Sequence, residues 1–320
     1  MTTGIRTLLA AAGLALAMPV YAEEAPSLDP RNLASVGRLC TPTHVGFFGQ
    51  TTTISNAYGN TLHYRVGTGP WQRANIGLND PHSIAQLPSG EWLLNDTDNH
   101  RMLQFRNFED GPRITRGALG GFPLNRPHDH IVDPTTGDVY LIDGDRRLFR
   151  FRSLDGPIEV WSFSEAEMGY ARSLSWFDGK LHVIHSSRGE VLRIDDYAAH
   201  AYTRFQSPQP GGEAGASDEG AGALTSTGLV LNDVELHKGW YYGTNYFTTS
   251  YAHGASTREA RLIRWRNWED FAAGAWEDLS SQIPEGMVPY YLTSHDGSLF
   301  VAIFDHESRC QGDRILTLPY

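Results

Sequence analysis

Five segments of this chain share one layout, and a repeated layout limits a fold more than any local signal does. They are PHSIAQLPSGEWLLNDTDNHRMLQFRNFED from Pro81, PHDHIVDPTTGDVYLIDGDRRLFRFRSLDG from Pro127, YARSLSWFDGKLHVIHSSRGEVLRIDDY from Tyr170, LNDVELHKGWYYGTNYF from Leu231 with its continuation RLIRWRNWED, and PYYLTSHDGSLFVAIFDHESRCQGDRILTLPY from Pro289. Each carries a short apolar stretch, a Gly turn, an alternating β-branched or aromatic stretch, a polar turn and a third alternating stretch. That reads as strand, hairpin, strand, hairpin, strand. A variable fourth stretch follows, such as Pro112–Ala118 or Ile158–Phe163. Four-stranded units of about 45–60 residues repeated around an axis make a β-propeller. Residues 41–80 contain TLHYRVGTGPWQRANIG, which matches the third and fourth strands of a further unit. The expected fold is therefore all-β, a six-bladed propeller. A five-bladed ring, with the N-terminal strands completing the last blade, is the alternative; either closure joins N- and C-terminal segments.

Composition agrees. With 40% apolar residues, 33 Gly, 17 Pro, 8 Trp, 14 Tyr and 14 Phe, the chain is neither disordered, collagenous nor coiled coil. A formal charge of −11 argues against a nucleic-acid partner, which would call for a basic stripe. Residues 1–22 hold one charge, Arg6, then an apolar run from Leu8 to Met18 and the small-x-small exit Val20-Tyr21-Ala22. This is the pattern of a signal peptide, too short to span a bilayer. The expectation is a secreted or periplasmic monomer with one domain over residues 23–320 and no membrane span. Cys40 and Cys310 are the two cysteines, and in an oxidising compartment they read first as a disulfide joining the chain ends. Residues 207–228 are Gly- and Ala-rich without strand alternation and read as a long loop. Ser164–Met168 and Trp268–Ala275 read as short helical turns at most.

The segment PHSIAQLPSGEWLLNDTDNHRMLQF resembles an NHL repeat, with Asp96, Asn99, His100 and Arg101 matching its Asp-x-x-Asn-His-Arg turn and Ser83 standing where Gly is usual. That resemblance implies a propeller and no particular activity. Aligning the units on Ile84, Ile131, Leu174, Val234 and Leu292 places His82, Asp129, Arg172, Asn232 and Tyr290 two residues earlier. Ser83, His130, Ser173, Asp233 and Tyr291 come one residue earlier. Strand alternation points one of these sets into the channel mouth. The turns between second and third strands add Asp96, His100, Asp143, Asp145, His185, Asp305 and His306 near that rim. Asp96, Asn99 and Arg101 read as closing the blade turn, and Tyr241, Tyr242, Tyr246, Trp265 and Trp268 as packing between blades.

Several chemistries fit such a ring. LNDVELHKGWYYGTNYF resembles a segment of the paraoxonase and gluconolactonase-like propellers, which implies a calcium held by Asn232 and Asp233 and a lactone or ester substrate. Paraoxonases also join their chain ends by a disulfide. PHSIAQLP and PHDH resemble first strands of the peptidyl-hydroxyglycine amidating lyase, which implies zinc at His82, His128 and Asp129. The pair His128 and His130 is spaced to share a metal from one face of a strand. A metal-free lyase acting on a uronate would need a cation and a base near one carbon, as Arg172, His82 or His130, and Tyr170 or Tyr290 offer. A non-catalytic binding propeller needs none of these. No GxSxG, HExxH, Walker loop or CxxC is present. The leading expectation is a metal-assisted hydrolase or lyase acting on a small-molecule or carbohydrate substrate. In it His82, His130, Arg172 and Tyr290 are catalytic, and Tyr170, His185 and Tyr291 bind substrate. Asn232, Asp233, His128 and Asp129 hold the calcium or zinc.

Overall fold

A computed structural model of the chain describes residues 38–186, 189–207, 231–245, 262–305 and 310–318. The expected signal peptide, the loop from residue 208 onward, Tyr246 and His306 lie outside the described residues. Among the described residues six blade sheets follow one another along the sequence, each with its strands in sequential order from axis to rim, and a two-stranded ribbon of Ala118–Leu119 and Phe122–Pro123 lies between the second and third. Blade 1 comprises Pro42–Phe48, Thr51–Asn56, Thr61–Val66 and Gln72–Arg73; blade 2 comprises Pro81–Gln86, Trp92–Asp96, Arg101–Phe105 and Ile114–Arg116. Blade 3 is built from Asp129–Val132, Val139–Ile142, Arg147–Phe151 and Glu159–Ser162, and blade 4 from Ser173–Phe177, Lys180–His185, Glu190–Asp196 and Ala201–Gln206. Leu231–His237, Trp240–Asn245, Leu262–Trp265 and Glu277–Asp278 form blade 5. Blade 6 shows three strands among the described residues, Met287–His295, Ser298–Asp305 and Arg314–Leu318. The fold is the six-bladed propeller, and the N-terminal strands make their own blade rather than completing the last one.

The apolar core lies between blades. Ile142, Leu148 and Trp161 of blade 3 pack with Leu174, Val183 and Leu192 of blade 4. Tyr241, Trp265 and Trp268 of blade 5 meet Phe177 and Ile184 of blade 4, and Tyr242 packs with Leu292 and Leu299 of blade 6. These aromatic residues are inter-blade packing, as their spacing suggests. Within blade 5 a short helix, α1 (Trp268–Ala273), is capped by the Asn267 side chain, which accepts from the Asp270 amide. It ends at Gly274, whose left-handed φ of 72° suits a residue without a Cβ. The Asp96 carboxylate accepts from Asn99 Nδ2 at 2.8 Å and Arg101 Nε at 2.6 Å, so these residues do close the turn of blade 2.

The innermost strand of every blade has one edge without a ladder partner, and buried backbone groups there need other partners. Side chains of the neighbouring blade supply them. Asn95 Nδ2 of blade 2 donates to the Pro127 and His128 carbonyls at 2.9 and 2.6 Å while its Oδ1 accepts from the Ser83 amide at 2.7 Å. Asp129 accepts from Leu174 N at 2.7 Å, Ser173 Oγ donates to the Asn232 carbonyl at 2.9 Å, and Asp233 accepts from Leu292 N at 2.8 Å. Thr293 Oγ1 donates to the Val45 carbonyl at 2.8 Å, joining blade 6 to blade 1. The same seam carries the Cys40–Cys310 disulfide, 270 residues apart in sequence.

Asn95→Leu keeps the side-chain volume and strands the Ser83 amide and the His128 carbonyl, while the Pro127 carbonyl keeps the Thr97 hydroxyl. At about 1–3 kcal/mol per buried group left unpaired, urea unfolding should show a loss of at least about 2 kcal/mol. A loss below about 1 kcal/mol would mean that these groups find other partners.

Candidate active site at one mouth of the channel

Three inner strands begin the same way. Thr41, Asp80 and Arg126 stand directly before Pro42, Pro81 and Pro127, and each adopts a left-handed φ, of 52°, 54° and 46°. Such values are uncommon for residues with a side chain and persist only where neighbours enforce them. Here the enforcing group is alike in all three: a side chain from the preceding blade's turn accepts the strained residue's amide. Asp313 Oδ2 of blade 6 takes Thr41 N at 2.7 Å, Asn60 Oδ1 of blade 1 takes Asp80 N at 2.9 Å, and His100 Nδ1 of blade 2 takes Arg126 N at 3.0 Å. Thr41, Asp80 and Arg126 all line a single cavity of about 190 Å³ at this mouth, with Thr43, Tyr58, His82, His128, Arg172 and Tyr290.

At its centre is a Tyr290 hydroxyl between two blades. His82 Nε2 lies 3.1 Å from Tyr290 Oη, and Arg172 Nη1 donates to the same oxygen at 2.9 Å. His82 Nδ1 lies 3.0 Å from the Asp80 carbonyl, which only accepts, so Nδ1 carries the proton and Nε2 accepts from the phenol. The Asp80 carboxylate is 3.9 Å from Nδ1 and within 3.3 Å of Arg126, which also pairs with Asp98. Burial holds the His82 imidazole below its ordinary value; Asp80 opposes this and Arg172 and Arg126 add to it. The Tyr290 backbone is fixed by Asn232 Nδ2 and Thr244 Oγ1, which donate to its carbonyl at 2.9 and 2.6 Å. Tyr170 lies under the Arg172 guanidinium, 5.1 Å away, and meets the His128 ring edge-on at 5.5 Å.

Of the residues expected in the ring, His82, Arg172 and Tyr290 come together, with Tyr170 beside them and Asn232 holding one of them from behind. Blade 3 departs from the expected register. Aligning it on Ile131 places Asp129 beside His82, but His130 pairs with Leu141 as Ile84 pairs with Leu94. His128 is therefore the counterpart of His82, their ring centroids 4.2 Å apart. The matching signal is the shared Leu-Asn-x-Pro-His of residues 78–82 and 124–128. The structure also adds Asp80, Arg126, Thr41, Thr43 and Tyr58, which lie before the aligned stretches or in blade 1.

Asp129, His130, Asp233 and Tyr291 belong to a deeper ring. With His44 and Glu235 they line a second cavity of about 340 Å³. His130 is not beside His82: its Nδ1 meets Ser83 Oγ at 3.0 Å and its Nε2 the Leu93 carbonyl at 3.1 Å, so both nitrogens are in structural use. Burial holds it at about 3. Tyr291 donates to the Arg172 carbonyl at 2.8 Å. His185 is fully buried between Glu190, 3.0 Å from Nδ1, and the Gly169 amide, which donates to Nε2 at 2.7 Å, so it belongs to the frame of blade 4. Of the donors expected for calcium or zinc, Asn232 gives its Nδ2 to the Tyr290 carbonyl while its Oδ1 has no hydrogen-bond partner, Asp129 and Asp233 accept strand amides, and His128 lines the mouth cavity. Among the described residues no three His, Cys, Asp or Glu side chains are grouped to hold a metal ion.

Burial pushes the Asp129 carboxyl up to about 7 and Asp233 up to about 8, against an ordinary 3.8. The folded protein therefore keeps a proton on Asp233 that the unfolded chain releases near pH 4. Its contribution to stability falls as pH rises from there to about 8. Relative to wild type, the melting midpoint of Asp233→Asn should rise between pH 5 and pH 8; parallel curves would show the carboxyl ionised in the folded state.

No family model matches the chain, and no curated protein matches it by sequence. Its fold is similar to solved propellers at low identity. A catalytically inactive virginiamycin B lyase from Staphylococcus aureus, solved with quinupristin, shares 14% identity at a TM-score of 0.58, over 89% of this chain and 96% of that one. A streptogramin B lyase shares 12% at 0.53, over 83% and 91%. A 6-phosphogluconolactonase-like protein from Bacteroides uniformis shares 12% at 0.50, over 84% and 85%. At these identities the likeness establishes the β-propeller class, and the site must speak for the chemistry.

Proposed function

We propose that this protein is a propeller enzyme, a lyase in the first place, that works by proton transfer at the mouth holding Tyr290. The carrying observation is the Tyr290 hydroxyl, which donates to a neutral imidazole and accepts from a guanidinium. His82 can take the phenol proton through Nε2, with the Asp80 carboxylate near enough to stabilise the imidazolium, while Arg172 holds the phenolate. The phenolate then removes the proton on the carbon next to a carboxyl or ester carbonyl. The electrons of that C–H bond form the new C=C bond, the C–O bond to the leaving group on the next carbon breaks, and the leaving oxygen takes the proton from His82. Arg172 also lies where it can neutralise charge developing on the substrate's carbonyl oxygens.

The same residues support ester or lactone hydrolysis less well, because a water nucleophile would need a base free of the phenol. No step is routed through a metal. The signal-peptide pattern and the disulfide favour a secreted or periplasmic site of action, and among the described residues no helix is long and apolar enough to cross a membrane. The reading rests on the site and not on the lyases whose fold the chain shares.

Purified protein assayed against uronate polymers, esters and lactones should produce an unsaturated acid, read by its ultraviolet absorbance. Tyr290→Phe should lower kcat by about 10²–10⁴, Arg172→Lys and His82→Asn by at least tenfold, and chelation with EDTA should leave the rate unchanged. Full activity in Tyr290→Phe, or no turnover of any substrate class, would sink the proposal. Because His82 is held below its ordinary 6.5, the acidic limb of kcat/KM should fall below pH 6.5; a limb above it would point to a different base.

A further inference from the structure

We infer that the mouth pocket recognises a sugar acid, with the carboxylate directed to Arg172 and ring hydroxyls to the pocket's remaining polar atoms. The inference rests on the proposed lyase reading for its catalytic meaning; it shares Arg172 and Asp80 with the Tyr290 relay and adds His128 and Thr41, which the relay does not use.

Charge comes first. Two guanidinium groups, Arg126 and Arg172, and one carboxyl, Asp80, line the cavity. Arg126 is paired with Asp80 and Asp98, so the Arg172 guanidinium is the charge that an anionic occupant would match, in a chain of net charge −11. Arg172 can present paired N–H groups that suit a carboxylate.

Hydrogen-bond accounting then narrows the anion. The buried atoms of pocket-lining residues without a hydrogen-bond partner include His128 Nδ1, Thr41 Oγ1 and Asp80 Oδ1. Their residues are 1%, 6% and 5% exposed. The Arg172 backbone carbonyl acts on the His128 ring as an acceptor, and since Nδ1 is unpartnered the proton is assigned to Nε2. Burial, with His82, Arg172 and Arg126 nearby, keeps the ring neutral, so Nδ1 is a bare acceptor. Asp80 Oδ1 is a second acceptor, and the Thr41 hydroxyl serves either way. Unpaired buried polar atoms are unfavourable, and these three belong to residues that line one cavity together with Arg126 and Arg172. A simple fatty or aromatic acid would leave the acceptors unmet; an acid bearing several hydroxyls meets them.

Size and shape agree. About 190 Å³ admits one ring-sized unit, with the rest of a longer substrate lying over the face. Tyr58 lines the cavity with 46% of its surface exposed.

Calorimetry on the intact protein with three probes tests this. D-glucuronate should bind at least about tenfold tighter than cyclohexanecarboxylate, which lacks hydroxyls, and than D-glucose, which lacks the acid. His128→Phe and, independently, Thr41→Ala should each weaken glucuronate about tenfold, as one lost hydrogen bond implies, without changing cyclohexanecarboxylate binding; a merely misfolded variant would lose both. Tyr290→Phe should bind glucuronate within about threefold of wild type while losing turnover. Equal affinity for glucuronate and cyclohexanecarboxylate, no binding of either, or unchanged glucuronate affinity in both His128→Phe and Thr41→Ala would overturn the inference. Turnover of esters or lactones without glucuronate binding would overturn it and leave the proton-transfer reading standing. Glucuronate binding without turnover of any substrate would do the reverse.

Discussion

Everything in this molecule depends on how the inner strands satisfy their free edges. A propeller blade is a sheet with two edges, and the axial one faces a narrow channel where backbone groups cannot all reach bulk water. The chain meets this with side chains of the preceding blade. Asn95 serves blade 3, Asp129 serves blade 4, Ser173 serves blade 5, Asp233 serves blade 6, and Thr293 returns the pattern to blade 1. These bonds set the blades in angular register, and the apolar seams between sheets supply the bulk of the burial. They also explain why acids lie so deep. Asp129 and Asp233 are acceptors for strand amides, and the deep ring tolerates them because burial favours their protonated forms.

The mouth is organised by a related device one step further out. The residue before each of three prolines is forced into a left-handed conformation and held there by a turn side chain of the blade behind it. Strain of this kind turns Thr41, Asp80 and Arg126 toward the axis rather than along the strand. It also couples the site to the closure of the ring, because Asp313, which holds Thr41, lies close in sequence to Cys310 of the disulfide. Asp313 Oδ1 additionally accepts from Asp305 N at 2.9 Å, so one carboxylate ties the last blade's turn to the first blade's lead-in.

Two rings of polar residues on one axis thus have opposite characters. The deep ring is acidic and occupied with blade-to-blade bonding. The mouth ring carries Arg126 and Arg172 beside Asp80, with a tyrosine poised between imidazole and guanidinium. That contrast separates structural polarity from polarity available for chemistry, which residue types alone do not do. His130 and His82 are both buried histidines on inner strands, yet one has both nitrogens committed to the frame and the other shares a proton with Tyr290.

The sequence by itself determined the repeat, the sheet-only architecture and the pairing of the two cysteines, because strand alternation and turn residues are local and recur in every unit. It also brought His82, Arg172 and Tyr290 into one candidate ring, since a strand's period of two is enough to align residues across blades. Tertiary structure alone decided the rest. Bulges in the inner strands of blades 1, 2, 5 and 6 change the count between the proline end and the apolar residue. An alignment anchored on Ile131 therefore slipped by one and offered Asp129 where His128 stands. Backbone φ at Thr41, Asp80 and Arg126 is imposed by side chains from other blades, so no local pattern announces it. Whether a buried polar atom is paired or left over depends on partners tens to hundreds of residues away, and only the closed ring brings those partners within reach.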